Sequence, residues 1–205
     1  MPDRSHELAL HVRGCLRVAG IDEAGRGPLA GPVAAAAVIL PPDFDPDGLD
    51  DSKKLNPARR EQLYERITGT DGVVWAVAFA EVGEIDLLNI LRATHLAMAR
   101  AALSLDPRPD HCLIDGLPLP EFPIPHDAIV KGDSTSLSIA AASIVAKVSR
   151  DRILREIDRE FPQYGFARHQ GYGTKEHLEA LRLHGPCPHH RRSFGPVAQT
   201  SLAFE

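Results

Sequence analysis

Apolar and polar positions follow two rhythms along this chain. Leu16 to Asp22, Val33 to Leu40 and Val73 to Ala80 are short, nearly continuous apolar runs bounded by glycine, proline or Asp71-Gly72, and they predict strands. Between the second and third lies Asn56-Pro57, a cap followed by proline in the first helical position, which opens a helix to about Ile67. From Ile85 to Leu105, the residues Leu87, Leu88, Leu91, Leu96 and Met98 approximate helical spacing and predict one helix. His111 to Ile114 and Ala128 to Val130 are too short for helices and predict two more strands. They end at Asp115-Gly116 and Lys131-Gly132-Asp133. A long helix follows from about Ser136 to Phe161, rich in small residues at its start and stopped by Pro162. A further helix runs from a Thr174 cap to His184, ahead of Gly185-Pro186. Three early strands, then alternating helix and strand, predict an α/β fold with a mixed sheet covered on both faces.

Composition narrows the classes. The chain has 205 residues and 43% apolar content, enough for a proper core. A net charge of −5 argues against nucleic-acid binding through bulk positive charge, though not through clustered basic residues. Cys15, Cys112 and Cys187 are odd in number and lack metal-type spacing, so reduced thiols and a cytoplasmic location are expected. The N-terminus has no signal-peptide pattern, and no apolar run reaches membrane-spanning length.

The chemistry concentrates at Gly20-Ile21-Asp22-Glu23-Ala24-Gly25-Arg26-Gly27-Pro28. Adjacent carboxylates at the end of an apolar strand repel each other and lose hydration, and a hard divalent cation removes both costs. Glycines beside them let backbone N–H groups approach an anion, and Arg26 adds a fork suited to phosphate. Asp115 and Asp133 also follow short strands, where ligand sites of open α/β sheets collect. Because successive strand side chains face opposite ways, Asp22 and Glu23 are expected to share a site only if the backbone turns there. Acids for metal beside donors for phosphate predict a phosphodiester-cutting site.

Blocks spread over nearly the whole chain resemble ribonuclease HII, the bacterial type 2 ribonuclease H. They are Gly20 to Leu29, Asp51-Ser52-Lys53-Lys54-Leu55, Leu113 to Gly116, Val130 to Ser134, Ser138 to Asp151, Phe161 to Phe166, Gly171 to Thr174 and His190 to Val197. The resemblance implies a ribonuclease H-like fold, a mixed five-stranded sheet flanked by helices, with a C-terminal helical region. It implies four catalytic, metal-holding acids, Asp22, Glu23, Asp115 and Asp133, with two divalent cations, Mn2+ or Mg2+. Gly25, Arg26 and Gly27 would contact the backbone around a ribonucleotide, and Tyr172 would sense the ribose–deoxyribose junction. The implied substrates are RNA–DNA hybrids and duplex DNA holding ribonucleotides, cut to 5′-phosphate and 3′-hydroxyl ends. Asp22 is expected to bridge the ions, with Asp133 towards the attacking water and Glu23 and Asp115 towards the leaving oxygen.

Duller readings stand beside these. Asp115-Gly116 is also a common turn, and Asp133 could cap the long helix. Lys53 and Lys147 are candidate substrate contacts, against a solvated charge and a helical pair with Asp151. His184, Cys187, His189 and His190 lack a second Cys/His pair, so packing or substrate-facing roles are expected in place of zinc. A ribonuclease HIII-type enzyme would carry a further N-terminal domain, and only a short segment precedes Cys15. A catalytically dead binding module would be expected to lack an acid, and all four are present. Organisation is expected as an N-terminal extension to residue 15, one monomeric domain over 16–198, and a flexible tail over 199–205. In that tail Gln199, Leu202 and Phe204 resemble the Gln-x-x-Leu-x-Phe peptide that docks on bacterial sliding clamps.

Overall fold

A computed structural model describes residues 1–201 and contains five strands and eight α-helices. In chain order these are α1 (Ser5–Val12), β1 (Val18–Ala24), β2 (Val33–Ile39), α2 (Pro57–Gly69), β3 (Val74–Ala80), α3 (Val82–Leu88) and α4 (Ile90–Leu103). There follow β4 (His111–Asp115), β5 (His126–Ile129), α5 (Leu137–Glu160), α6 (Phe166–His169), α7 (Lys175–His184) and α8 (Gly195–Ser201). The sheet order is β3-β2-β1-β4-β5, with β2 antiparallel to both neighbours and β1, β4 and β5 parallel. This is the mixed five-stranded sheet that the pattern predicted, and the carboxyl ends of β1 and β4 lie side by side.

Sequence explains why the layers sit so close. Strand β2 is Val33-Ala34-Ala35-Ala36-Ala37-Val38-Ile39, buried on both faces up to Val38. Its odd alanines join Ala19, Ile21 and Ile114 against Ala93, Ala97 and Ala101 of α4. Ala36 and Val38 instead meet Ala141, Ile144 and Val145 of α5, with Leu63 and Ile67 of α2. At Gly20 the approach is closest. A Cβ there would fall 2.1 Å from the Ser138 carbonyl carbon, so only glycine lets α5 settle on β1.

Two expectations change. The helix predicted from Ile85 to Leu105 is two helices, because Asn89 takes a φ of 69° and its side chain accepts from the amides of Leu91 and Arg92. Local capping by asparagine outcompetes continuation of the helix there. The N-terminal residues are also not a bare extension. Helix α1 places Leu10 against Val18, Leu113 and Ile139, while Asp3 bridges to Ser136. The Thr174 cap is as predicted, with its hydroxyl accepting from the His177 amide at 3.2 Å.

Candidate active site

Strand β1 delivers Asp22 and Glu23 with no turn between them. Pairing with β2 continues through Asp22↔Ala36, Glu23↔Ala35 and Ala24↔Ala34. Asp22 therefore shares the α5 face with Ala36, and Glu23 the α4 face with Ala35. The backbone turns two residues after Glu23, at Gly25, with φ of 97°. Both acids still line one cleft of about 230 Å³, which they enter from opposite sides of the sheet. Asp115 ends β4, and its Oδ1 accepts from the Gly132 amide at 2.6 Å, tying that strand to the 3-10 turn that carries Asp133. Carboxylate oxygens of Asp22, Asp115 and Asp133 all lie within 4.8 Å of one another. Glu23 stands outside that trio and pairs with Arg26 at 3.3 Å. Asp133 is not the helix cap. Ser136 holds that position and accepts from the Ile139 amide.

The trio is electrostatically crowded. Burial, then the charges of Glu23 and Asp115, push the Asp22 carboxyl well above the usual carboxylate range. Asp115 is raised by burial and by Asp133. Lys53 supplies a nearby cation, its Nζ 3.0 Å from Asp133 Oδ2. Burial would depress that ammonium, but the Asp133 hydrogen bond and the charges of Asp133, Asp22 and Asp51 raise it overall. Lys147 lines the cleft as well, held at 2.6 Å by Asp151, so the predicted helical pair and the cleft position coexist.

The Gly25-Arg26-Gly27 loop lines the same cleft, fixed by two arginines whose roles the motifs did not reveal. Arg191 is fully buried and donates to the carbonyls of Gly25, Arg26, Pro28 and Gly31. Arg150, equally buried, donates to Ala30, Pro32 and Gln170. A Cβ at Gly25 would lie 1.9 Å from Arg150 Nε, which excludes any side chain there. Tyr172 is half-exposed, and a Cβ on Gly27 would touch its ring at 3.5 Å, so the loop and the tyrosine form one surface. The signal in the sequence was an arginine just past the midpoint of α5 and another in His190-Arg191-Arg192. Neither spacing says which carbonyls they reach.

A family model for ribonuclease HII matches residues 19–197, from the start of β1 into α8. The chain belongs to the ribonuclease HII family. It is 57% identical to the ribonuclease HII of Magnetococcus marinus over 97% of this chain and 94% of that one. Among solved structures it is similar to ribonuclease H2 of Pyrococcus horikoshii, with a TM-score of 0.76 and 25% identity, covering 92% of this chain and 99% of that one. It is also similar to the ribonuclease HII of Archaeoglobus fulgidus solved in complex with PCNA, at a TM-score of 0.68 and 29% identity over 82% and 88% of the two chains. As a ribonuclease HII the chain is an endoribonuclease of the ribonuclease H type, on a ribonuclease H-like fold. Its three clustered acids offer only carboxylate oxygens, a donor set that fits a hard divalent cation, whose charge would add to that of Lys53 in offsetting the crowding at Asp22. Among the described residues no His/Cys group has metal-ligand geometry, so His184, Cys187, His189 and His190 form no zinc site there. No described helix is long and apolar enough to cross a membrane.

Proposed function

We propose that this ribonuclease HII hydrolyses the RNA strand of RNA–DNA hybrids and incises 5′ of ribonucleotides embedded in duplex DNA, leaving 5′-phosphate and 3′-hydroxyl ends. One observation carries the reading: Asp22, Glu23, Asp115, the Gly25–Gly27 loop and Tyr172 line a single cleft, with Asp133 clustered against two of those acids. Asp22, Asp115 and Asp133, with Glu23 beside them, would hold two divalent ions, Mg2+ or Mn2+. When bound, such ions polarise the phosphate and neutralise charge on the entering and leaving oxygens.

The protein's own part is positioning. Arg191 draws the carbonyls of Gly25 and Arg26 inward. Because N–H and C=O point opposite ways across a trans peptide, the amides of Arg26 and Gly27 are directed away from that arginine. There they can meet the ribose 2′-hydroxyl and its phosphate, the groups that tell RNA from DNA. Tyr172 offers its ring to the next sugar, where a deoxyribose fits and a hydroxyl crowds. Lys53 and Lys147 supply local positive charge for the backbone, which explains activity on a polyanion despite the net charge of −5. Cleavage mapping on a duplex with one ribonucleotide tests the reading. Incision on its 5′ side is expected, and a requirement for several consecutive ribonucleotides overturns junction reading.

Docking on a sliding clamp through Gln199, Leu202 and Phe204 belongs to the same proposal. A relative from Archaeoglobus fulgidus was solved in complex with PCNA. Gln199 lies in α8, so the stretch expected as a flexible tail begins helical, while Leu202 and Phe204 fall outside the described residues. Retention of the full chain by immobilised clamp, and its loss on truncation after Ala198, is the expected result. Equal retention of both ends the idea.

A further inference from the structure

Behind Tyr172 lies a buried group of aromatic and histidine rings that the cleavage chemistry does not use. His177 and His190 are almost fully buried, and His169 nearly so. Their partners fix where every ring proton sits. His190 Nδ1 lies 3.0 Å from the Cys187 amide and close to its thiol, which burial keeps protonated. Both are donors, so Nδ1 is an acceptor and the His190 proton is on Nε2. That Nε2 lies 3.0 Å from His177 Nε2, which must then accept. The remaining proton of His177 is on Nδ1, 2.9 Å from the Tyr172 carbonyl, which can only accept. The direction is therefore single: Cys187 N–H to His190, His190 to His177, His177 to Tyr172 O.

Adjacent contacts extend the hold. His169 stacks on His177 with ring centres 4.6 Å apart, accepts from the Gly171 amide at Nδ1, and gives its carbonyl to the Tyr172 amide. His190 itself pairs by a bridge with Ala30, just beyond the Gly25–Gly27 loop. One relay thus joins the two halves of the cleft wall. An additional proton on either ring would point one donor at another, so the relay works only with neutral rings.

We propose that His177 and His190 are positioning residues for ribose recognition, setting the main chain of Tyr172 relative to the glycine loop through this one-way relay of neutral rings. The proposal rests on the reading of Tyr172 as the junction sensor. Neither histidine touches substrate. Their effect falls on the choice between a single embedded ribonucleotide, which has one junction to be read, and a long hybrid, which offers many registers.

Two measurements test it. Nitrogen-15 NMR of the histidine rings in the full chain at pH 7.5 should show His190 protonated at Nε2 and His177 at Nδ1. The opposite tautomer in either ring overturns the relay without any variant. Kinetically, the ratio of kcat/KM on a duplex with one ribonucleotide to that on a long RNA–DNA hybrid should fall about tenfold in His177→Ala and in His190→Phe. His177→Asn should recover most of it, because the amide can donate to the Tyr172 carbonyl as Nδ1 does. Equal losses on both substrates, as a plain packing defect would give, overturn the proposal. Tyr172→Ala separates the two claims. If it leaves the ratio unchanged, the junction reading fails and the proposal falls with it. If it lowers the ratio while both histidine variants do not, the relay alone is wrong.

Discussion

Around Asp22, three carboxylates crowd within 4.8 Å with one lysine beside them, whereas around His190 the buried rings carry no charge and each ring nitrogen of His177 and His190 has a partner. The acids line the cleft or adjoin it, and the rings lie buried behind its Tyr172 wall. They differ in what is left unsatisfied. The acids repel one another and await a counter-charge, as a centre that must bind and release ions requires. The histidines and the two arginines leave their main-chain partners no freedom, as a gauge of one hydroxyl group requires. Chemistry here is placed where the fold is strained, and recognition where it is over-determined.

The largest effect should come from relieving the strained side. Asp22→Asn keeps the size of the side chain and removes the charge, so cleavage should fall about 1,000-fold or more, consistent with loss of a metal-holding group. Stability should move the other way. The folded state raises the Asp22 carboxyl, so folding binds a proton more tightly than the unfolded chain does, and that contribution is lost as pH rises through the folded value. At pH 7 without divalent ions the carboxylate is therefore a burden, and the variant should be more stable by about 1 kcal/mol. Urea unfolding in chelator decides the point: a less stable variant would contradict the contrast.

The satisfied side should respond oppositely. Arg191→Ala removes the donor for four main-chain carbonyls, and burial has already pulled that guanidinium down to about 9 without neutralising it at pH 7. A loss of about 3 kcal/mol is expected, as for other buried polar groups left without a partner. Arg26→Ala, by contrast, removes a half-exposed side chain that pairs with Glu23 and should shift stability by less than about 0.5 kcal/mol while slowing cleavage. Similar unfolding midpoints for the two variants would erase the distinction between a structural and a substrate-facing arginine.

Legibility followed the same division. Strands, caps and the acids were readable because each depends on neighbours in sequence: apolar runs, Asn56-Pro57, Thr174 and aspartates at strand ends. The split at Asn89 was not, because it turns on one asparagine choosing a cap over a helix that the periodicity equally allowed. Glu23 was placed with the trio, yet strand pairing carried on through Ala24 and sent it to the other face. The relay behind Tyr172 joins residues 172, 177, 187 and 190 to the loop at Ala30, and no spacing rule connects those positions. What sequence conveyed was chemistry carried by one residue; what it withheld was geometry shared by several.

Acid should stress the neutral cluster first. Burial, then His177, holds the His190 ring down to about 3, and burial likewise lowers His177. Between the unfolded value near 6.5 and that depressed value, the unfolded chain binds protons that the folded chain refuses, so stability falls as pH drops. Each such ring contributes up to about 1.4 kcal/mol per pH unit across that window. His169, Cys187 and Tyr164 also face the cluster and supply no negative charge at these pH values, and the charge of Glu176, which favours a proton on His177, is outweighed by burial. Asp22 pulls in the opposite direction. The comparison is therefore sharpest in variants: His190→Phe should flatten the loss between pH 6.5 and 5.5, and Asp22→Asn should steepen it. Identical slopes in all three proteins would show that neither cluster governs the acid response.

The smallest effect tests the same principle far from the cleft. Glu7 is a buried carboxylate on α1 whose Oε1 accepts from the hydroxyls of Ser136 and Ser138 and from the Ser138 amide, all at the N-terminus of α5. It meets the helix end where unpaired amides and the helix dipole favour a negative group. Its other oxygen, Oε2, has no hydrogen-bond partner among the described residues. The residue is thus half like each cluster, one oxygen fully engaged and one left without a partner. Glu7→Ala removes the engaged atom and should cost about 1–2 kcal/mol, the range of a lost helix cap. Glu7→Gln keeps an acceptor for the serines and replaces the orphan oxygen with an amide, so only the dipole interaction is lost, about 0.5 kcal/mol. Urea midpoints for the two variants measure the difference. If glutamine costs as much as alanine, charge at the helix end dominates; if both are silent, α1 does not brace the helix that follows Asp133.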